Sequence, residues 1–196
     1  MLEIYGIKLY WYGFMYALSF IIIDHLIVSA SKNKTINIEQ AAAEKLTFII
    51  LLFAILGGRL GYVFFYDLGY YASNLEKIFF LWEGGMSFHG GLIGVVVGSI
   101  YFAKKHQMDI LNITDTIALY APIGLFFGRL GNFINSELYG VKTSGSWGVV
   151  FTQVDQFPRH PSMLYEAILE GLILFILLAI IRSKKPIHGV ISGCFL

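Results

Sequence analysis

The sequence predicts an all-α protein, a polytopic transmembrane helix bundle with a small external head loop. Of its 196 residues, 57% are hydrophobic and only 14% are charged, and the mean hydropathy is +0.69. A soluble domain carries about 25% charged residues. The apolar residues are gathered in runs of membrane-spanning length, so we expect residues 1–196 to form a single membrane domain.

Five segments approach or reach the roughly 20 apolar residues that a bilayer requires. In chain order they cover residues 9–30, 46–66, 88–103, 111–127 and 163–181. The first is longer than the apolar core of a signal peptide and further spans follow it, so we expect an uncleaved helix. A sixth apolar segment starts near Val190 and the sequence stops at Leu196, from which we expect a chain cut inside a helix.

Basic residues in the connecting loops predict the orientation of these spans. Lysines and arginines follow the first, third and fifth spans, at Lys32, Lys34, Lys104, Lys105, Arg182, Lys184 and Lys185. The other loops contain only Lys77, Lys142 and Arg159. By the positive-inside rule we expect the N-terminus outside and an external head loop over residues 132–161.

Glycines at four-residue spacing predict closely packed helices. They are Gly57 with Gly61, the series Gly90, Gly94 and Gly98, and Gly124 with Gly128. Small residues at this spacing let helix backbones approach each other.

The tetrapeptide Gly-Arg-Leu-Gly occurs twice, at residues 58–61 and 128–131. Asp67-Leu68 follows the first copy as Glu137-Leu138 follows the second. A degenerate parallel repeat and a chance similarity between glycine-rich helix ends both account for the pattern.

Residues 128–140 form the densest polar segment and close the fourth span. A charged side chain at mid-membrane costs roughly 2.5–3.5 kcal/mol or more, so such groups usually face a cavity or a partner. Arg129 can clamp a phosphate with two hydrogen bonds, or it can snorkel to the interface. Asn132 and Asn135 can donate hydrogen bonds to phosphate or glycerol oxygens, and Glu137 can orient Arg129 or another arginine.

Further candidates lie elsewhere in the chain. His89, flanked by glycines at the start of the third span, is either a general base or a histidine hydrogen-bonded at a helix start. Arg59, beside Tyr62 in the second span, is a second candidate for a phosphate clamp. Tyr12 belongs either to an interfacial aromatic belt or to the site. Asp115 is expected to cap the fourth span.

Other chemistries find little support in the sequence. It contains no G-x-S-x-G elbow, no H-E-x-x-H zinc helix, no Walker loop and no dinucleotide fingerprint. Five scattered histidines and one cysteine make a poor metal cage, and we expect neither a metal nor a cofactor. The net charge of +1 gives no basic footprint for nucleic acid.

Several motifs together resemble the prolipoprotein diacylglyceryl transferase family. They are Trp11-Tyr12-Gly13 and residues 57–62, 85–91, 128–140 and 159–166, which follow the family's order over nearly the whole chain. Met163 stands where the family commonly has glutamine. The family continues through at least one more helix with an R-x-x-x-E-F-F-R-like motif, which this sequence does not contain. That helix supplies an arginine and a glutamate to the family's site, so the resemblance leaves two expectations open, an active enzyme and an inactive or unstable part of one.

The resemblance implies an enzyme of the bacterial cytoplasmic (inner) membrane that moves the diacylglyceryl group of phosphatidylglycerol onto the lipobox cysteine of a prolipoprotein signal peptide. A thioether forms and glycerol phosphate leaves, with membrane lipids as further partners and no nucleic acid. The resemblance implies site residues His89, Arg129, Asn132, Asn135, Glu137, Gly140 and Tyr12. We assign His89, Arg129 and Tyr12 to catalysis. We assign the binding of phosphatidylglycerol to Arg129, Asn132, Asn135, Glu137 and Gly140, together with Arg59 and Tyr62.

The implied reaction needs an activated thiol. A cysteine with a pKa near 8.5 is only a few per cent thiolate at about pH 7, so a base or a cationic pocket must raise that fraction. His89 is our candidate base, and an arginine-rich pocket is the alternative.

Two other functions are open on the sequence alone. A transporter or lipid-binding membrane module predicts a polar path that reaches both sides of the membrane. The enzyme predicts one outward-facing or laterally open cavity, and the polar residues cluster at the predicted outer helix ends. An intramembrane protease is disfavoured because no serine–histidine pair shows a suitable spacing within the helices.

Overall fold

The structure is a computed structural model that describes residues 2–4, 7–9 and 11–196, with only the backbone described for residues 2–4, 7–9 and 12. The predicted role of the Tyr12 side chain therefore lies outside the described residues. The described chain is mostly helical, which confirms the predicted all-α membrane class.

The elements follow one another in a simple order. A hairpin of β1 (Leu2–Ile4) and β2 (Ile7–Leu9) pairs Leu2 with Leu9. Next come the helices α1 (Trp11–Lys32), α2 (Gln40–Phe65), α3 (Leu68–Ser73), α4 (Phe88–His106) and α5 (Ile110–Ile134). A second antiparallel pair, β3 (Val149–Val150) and β4 (Pro158–Arg159), precedes α6 (Ser162–Glu166), α7 (Leu174–Ser183) and α8 (Val190–Phe195). A π-helical segment, Ala167–Ile173, joins α6 to α7.

Four helices of the described chain are long and apolar enough to cross a membrane. They are Gly13–Lys32, Gln40–Phe65, Ile110–Ile134 and Ser162–Ser183, and they coincide with the first, second, fourth and fifth predicted segments. The third predicted segment also forms a helix, the 19-residue α4, but its glycines and its terminal lysines make it less apolar. The protein is thus a multi-pass membrane protein, and the count of five spans stays a prediction.

The part of the chain that the structure describes divides into two compact units. The central unit is Ala30–Thr114, and the terminal unit comprises Met1–Ser29 and Asp115–Leu196.

Within the central unit, α2 and α4 pack backbone against backbone. A Cβ atom on Gly61 would lie 2.7 Å from the Cα of Gly90, and one on Gly57 would lie 2.8 Å from the Cα of Gly94. These distances leave no room for a side chain. The predicted packing role of these glycines is confirmed.

The glycine pair of the terminal unit is packed more loosely. A Cβ atom on Gly124 would lie 3.9 Å from Cδ1 of Ile23, and one on Gly128 would lie 3.7 Å from the hydroxyl oxygen of Tyr16. Both are ordinary van der Waals distances to side chains of α1. The prediction of a close backbone approach at this pair is therefore wrong.

Asp115 caps a different helix from the one predicted. The first turn of α5 is capped by Asp109, whose Oδ1 accepts a hydrogen bond from the N–H of Leu111 at 3.1 Å. The buried Asp115 carboxylate instead accepts from the N–H of Gly189 and from both the N–H and the hydroxyl of Ser192, each at 2.8 Å. It thereby satisfies donors at the start of α8, where a helix terminus favours an anion.

Candidate active site

The end of α5 is a turn that places Glu137 against the last residues of the helix. The N–H of Glu137 donates to the carbonyl of Asn132 at 2.8 Å, and the N–H of Ser136 donates to that of Phe133 at 3.1 Å. These are the paired bonds of a Schellman ending. Ser136 and Leu138 both have positive φ, 59° and 55°, which costs a non-glycine residue roughly 1–2 kcal/mol. This strained turn places Glu137 at the end of the helix.

Two asparagine amides bind the Glu137 carboxylate. Nδ2 of the buried Asn132 donates to Oε2 at 3.0 Å, and Nδ2 of Asn135 donates to Oε1 at 3.3 Å. The sequence predicted that Glu137 orients an arginine, whereas its ligands in the structure are these amides. Each amide carries two N–H groups, so one donor of each asparagine is not used by Glu137.

Arg129 lies in the last two turns of α5 and pairs with two carboxylates of the helix Ser162–Ser183. Its Nη2 is 2.7 Å from Oε2 of Glu166 and 3.7 Å from Oε2 of Glu170. Its Nε is buried and has no hydrogen-bond partner among the described residues. An unpaired buried donor costs about 1–3 kcal/mol. Arg129 therefore retains a donor for an anionic ligand, which suits the predicted phosphate clamp.

Neither Glu166 nor Glu170 is among the site residues predicted from the sequence. Both lie in a helix that is otherwise apolar enough to span a membrane. The signal was present, because an acidic residue within such a helix is costly and usually has a partner. Glu170 also lies in the π-helical segment, a distortion that is frequent at functional sites.

A small apolar cavity lies between α5 and the helix Ser162–Ser183. It has a volume of about 110 Å³ and is lined by Ile123, Phe126, Gly171, Leu172 and Phe175. At one edge of the cavity the two helices are in close contact, since a Cβ atom on Gly171 would lie 2.7 Å from Cβ of Phe126 on α5. Phe126 lies one turn from Arg129 on α5, so the cavity and the cation are neighbours along the helix.

The predicted head loop of residues 132–161 begins with helix, since α5 continues to Ile134. Further along, the N–H of Gly140 donates to the carbonyl of His160 at 2.8 Å, and the N–H of His160 donates to that of Val141 at 3.0 Å. A Cβ atom on Gly140 would lie 2.9 Å from Cβ of His160. Gly140 thus permits close pairing of two chain segments, and its role in lipid binding stays a prediction.

An ion pair stabilises the head loop. Nη2 of Arg159 lies 2.6 Å from Oδ2 of Asp155, and the guanidinium lies over the Tyr139 ring at 4.9 Å. The hydrogen bond from Arg159 lowers the pKa of the Asp155 carboxyl below its ordinary value, and the same bond raises the pKa of Arg159.

Arg59 and Tyr62 lie in the central unit, where Arg59 is almost fully buried, with 3% of the residue's surface exposed. The guanidinium donates hydrogen bonds to five backbone carbonyls, those of Lys77, Ile78, Phe80, Gly84 and Gly85. The Tyr62 ring stacks on Tyr66 at 5.4 Å. The contacts of Arg59 favour a role in holding this loop in place. They do not favour the predicted role as a phosphate clamp.

His89 is the second residue of α4 and is exposed. The helix start is capped by Ser87, whose hydroxyl accepts from the N–H of Gly90 at 3.2 Å. The imidazole has no hydrogen-bond partner in the part of the chain that the structure describes, so the alternative of a hydrogen-bonded histidine at the helix start is not observed. Its use as a base stays a prediction.

Comparison with known proteins identifies the relatives of this chain. The family model described as prolipoprotein diacylglyceryl transferase matches residues 1–196. A phosphatidylglycerol–prolipoprotein diacylglyceryl transferase of Geobacter sulfurreducens is 46% identical over 187 residues, which cover 95% of this chain and 72% of that protein. The protein of the same name from Bordetella parapertussis is 47% identical over 197 residues, covering 100% of this chain and 75% of its own length.

Proposed function

Because this chain belongs to the prolipoprotein diacylglyceryl transferase family, we propose that it transfers the diacylglyceryl group of phosphatidylglycerol to the lipobox cysteine thiol of a prolipoprotein. The names of its relatives support a transferase over a transporter or lipid-binding module. Four helices able to span a membrane suit an enzyme whose donor substrate is a membrane lipid.

The reaction makes one bond and breaks one bond at a glycerol carbon. The cysteine sulfur bonds to that carbon as the bond from the carbon to a phosphate oxygen breaks. The thiol proton passes to a base, and glycerol phosphate leaves. Negative charge on the phosphate grows as the diester becomes a monoester. A cation placed there stabilises the transition state more than the bound substrate.

The single observation that carries the proposal is the environment of Arg129. An arginine within an apolar helix is held at Nη2 by Glu166 and Glu170, while its buried Nε lacks a partner among the described residues. A phosphate oxygen is the acceptor that a guanidinium binds best. The neighbouring apolar cavity provides a surface for the hydrocarbon part of the lipid.

His89 is the base in this proposal, because an exposed imidazole without a hydrogen-bond partner in the described chain can accept the thiol proton. Asn132 and Asn135 supply spare amide donors for glycerol or phosphate oxygens beside Arg129. Tyr12 is also assigned to catalysis in this proposal, and the only support is its place in the Trp11-Tyr12-Gly13 motif shared with the family.

The location and orientation are part of the proposal. Membership of the family supports a bacterial cytoplasmic membrane, and the asymmetry of lysine and arginine between the loops supports an external N-terminus. The end of α5 and the head loop then face outward, where the signal peptide of a prolipoprotein is exposed for modification.

The test is a transfer assay on the purified chain in micelles containing phosphatidylglycerol and a lipobox peptide. We expect the peptide to gain the mass of one diacylglyceryl group on its cysteine. A peptide with serine in place of that cysteine is the matched control, and the longer Bordetella parapertussis relative is the positive control. A folded chain that leaves the peptide unmodified would contradict the proposal and favour lipid binding or transport.

A further inference from the structure

We propose that Arg59 is a positioning residue that fixes the turn carrying His89, rather than a ligand of the lipid phosphate. This inference rests on the proposed function, in which His89 accepts the thiol proton. Arg59 and His89 both lie in the central unit, so every contact in the chain of reasoning belongs to one compact part of the molecule.

The guanidinium of Arg59 has its donors occupied by backbone. Nε donates to the carbonyl of Ile78 at 2.8 Å, Nη1 donates to those of Gly84 and Gly85, and Nη2 donates to those of Lys77 and Phe80. A guanidinium offers five N–H groups, which matches the number of carbonyls. A phosphate would have to replace these acceptors at a residue that is only 3% exposed.

The loop bound by Arg59 leads directly into α4. Gly85 has φ of +80°, and a Cβ atom there would lie 2.7 Å from Cε1 of Tyr62 and 2.9 Å from Nη1 of Arg59. Only glycine fits this conformation and this space. Gly85 is therefore pressed between two side chains of α2, which explains why Arg59 and Tyr62 occur together.

A second anchor lies two residues further along. The N–H of Ser87 donates to the carbonyl of Gly58 at 2.9 Å, next to Arg59 on α2. The hydroxyl of Ser87 then accepts from the N–H of Gly90 at 3.2 Å and so closes the first turn of α4 around His89. The backbone between Gly84 and Gly90 is thus held from both Gly58 and Arg59.

The side chain of His89 has no such support of its own. It has no hydrogen-bond partner in the described chain, and its ring contacts only that of Phe88, at 5.6 Å, among the aromatic pairs found there. The position of the imidazole consequently depends on the backbone of the turn. Weakening the hydrogen bonds from Arg59 to Gly84 and Gly85 is therefore expected to displace the imidazole of His89 without removing it.

The experiment combines spin labelling with kinetics on the full chain. Phe88→Cys places a label beside His89, and Ile100→Cys places a control label further along the same helix, each in a Cys194→Ser background. Arg59→Lys is then introduced, because an ammonium has three N–H donors and cannot replace five. We expect the label at residue 88 to gain mobility while the label at residue 100 does not.

In the unlabelled chain, Arg59→Lys is expected to lower kcat by about 10–100-fold, the scale of a displacement near 1 Å. The KM for phosphatidylglycerol should change by less than about threefold, because uniform binding is not affected. Gly85→Ala disturbs the same contact from the loop side and should reproduce both effects. It replaces Arg59→Lys if that variant does not fold.

Three results would overturn the inference. A higher KM with unchanged kcat and unchanged label mobility would identify Arg59 as a lipid ligand. Equal mobilisation of both labels would indicate general loosening of the helix, and a mobilised residue 88 with unchanged kcat would remove the link to His89. If the parent chain itself transfers no diacylglyceryl group, the proposed function fails, and the two labels still decide whether Arg59 orders the turn.

Discussion

The two Gly-Arg-Leu-Gly segments place the same four residues in opposite environments. Arg59 is buried and donates its hydrogen bonds to backbone carbonyls of its own unit. The side chain of Arg129, by contrast, is 27% exposed and is paired with carboxylates. Arg59 has a complete set of acceptors, and Arg129 retains a buried Nε without a partner in the described chain. Identical local sequence therefore gives an arginine with a full set of backbone acceptors in one place and, in the other, an ion-paired arginine that we propose binds the lipid phosphate.

The difference comes from what each segment meets. After the first copy, the chain leaves α2 and forms a loop that folds back over Arg59, so that five of its backbone carbonyls accept hydrogen bonds from the guanidinium. At the second copy, α5 contacts a helix that carries Glu166 and Glu170. A repeat of helix pairs stays a prediction, but a shared tetrapeptide is not evidence of a shared role.

The largest expected effect is on catalytic activity, and it tests the role proposed for Arg129. Arg129→Lys removes the planar fork that binds phosphate, and we expect kcat to fall about 100–1,000-fold, as for the loss of one donor to a developing anion. The measurement is diacylglyceryl transfer to the lipobox peptide, with Arg182→Lys as the matched control at the other end of the helix Ser162–Ser183. Equal activity of the two variants would show that Arg129 does not bind the phosphate.

For the free energy of unfolding we expect the reverse order, with the larger effect at Arg59 than at Arg129. Arg59→Ala removes the donor of five loop carbonyls, and since each charged hydrogen bond contributes about 1.5–3 kcal/mol, we expect a loss of at least about 3 kcal/mol. Arg129→Ala removes the partner of Glu166 and Glu170 in a helix apolar enough to span a membrane, and the relief of an unpaired Nε offsets only part of that cost, so we expect a smaller loss of about 1–3 kcal/mol. Thermal unfolding in detergent measures both variants, and a larger loss for Arg129→Ala would reverse our assignment of the two arginines.

The glycine pairs extend the same contrast to helix packing. Gly61→Ala drives a methyl group into the backbone of Gly90, and we expect about 1–3 kcal/mol of destabilisation from overpacking. Gly124→Ala meets only the tip of Ile23 at 3.9 Å and gains helix propensity, so stability should be unchanged or higher by up to about 1 kcal/mol. The two variants are compared by unfolding in the same detergent. Similar losses at both positions would contradict the difference in packing.

The sequence predicted the helices well because a membrane span leaves a direct hydropathy signal. It missed the extent of α2, which begins at Gln40 rather than near residue 46, because helical hydrogen bonding continues past the apolar run. It could not predict the acceptors of Arg59, since backbone carbonyls are present in every residue and only the folded loop brings the correct five together. Glu170, by contrast, could have been found, because an acidic residue in an apolar helix requires an explanation.

The smallest expected effect concerns the ion pair of the head loop and its dependence on pH. Since the hydrogen bond from Arg159 lowers the pKa of Asp155 below 3.8, the stabilisation is complete above that value and is lost as pH falls through the lowered pKa. We expect the fluorescence of Trp147 to report loosening of the head only below about pH 4, in a background with Trp11 and Trp82 replaced by phenylalanine. Asp155→Asn should remove the part of the transition that is due to this pair. A transition that is unchanged by Asp155→Asn would assign the acid sensitivity to other carboxyl groups and leave the head loop independent of this ion pair.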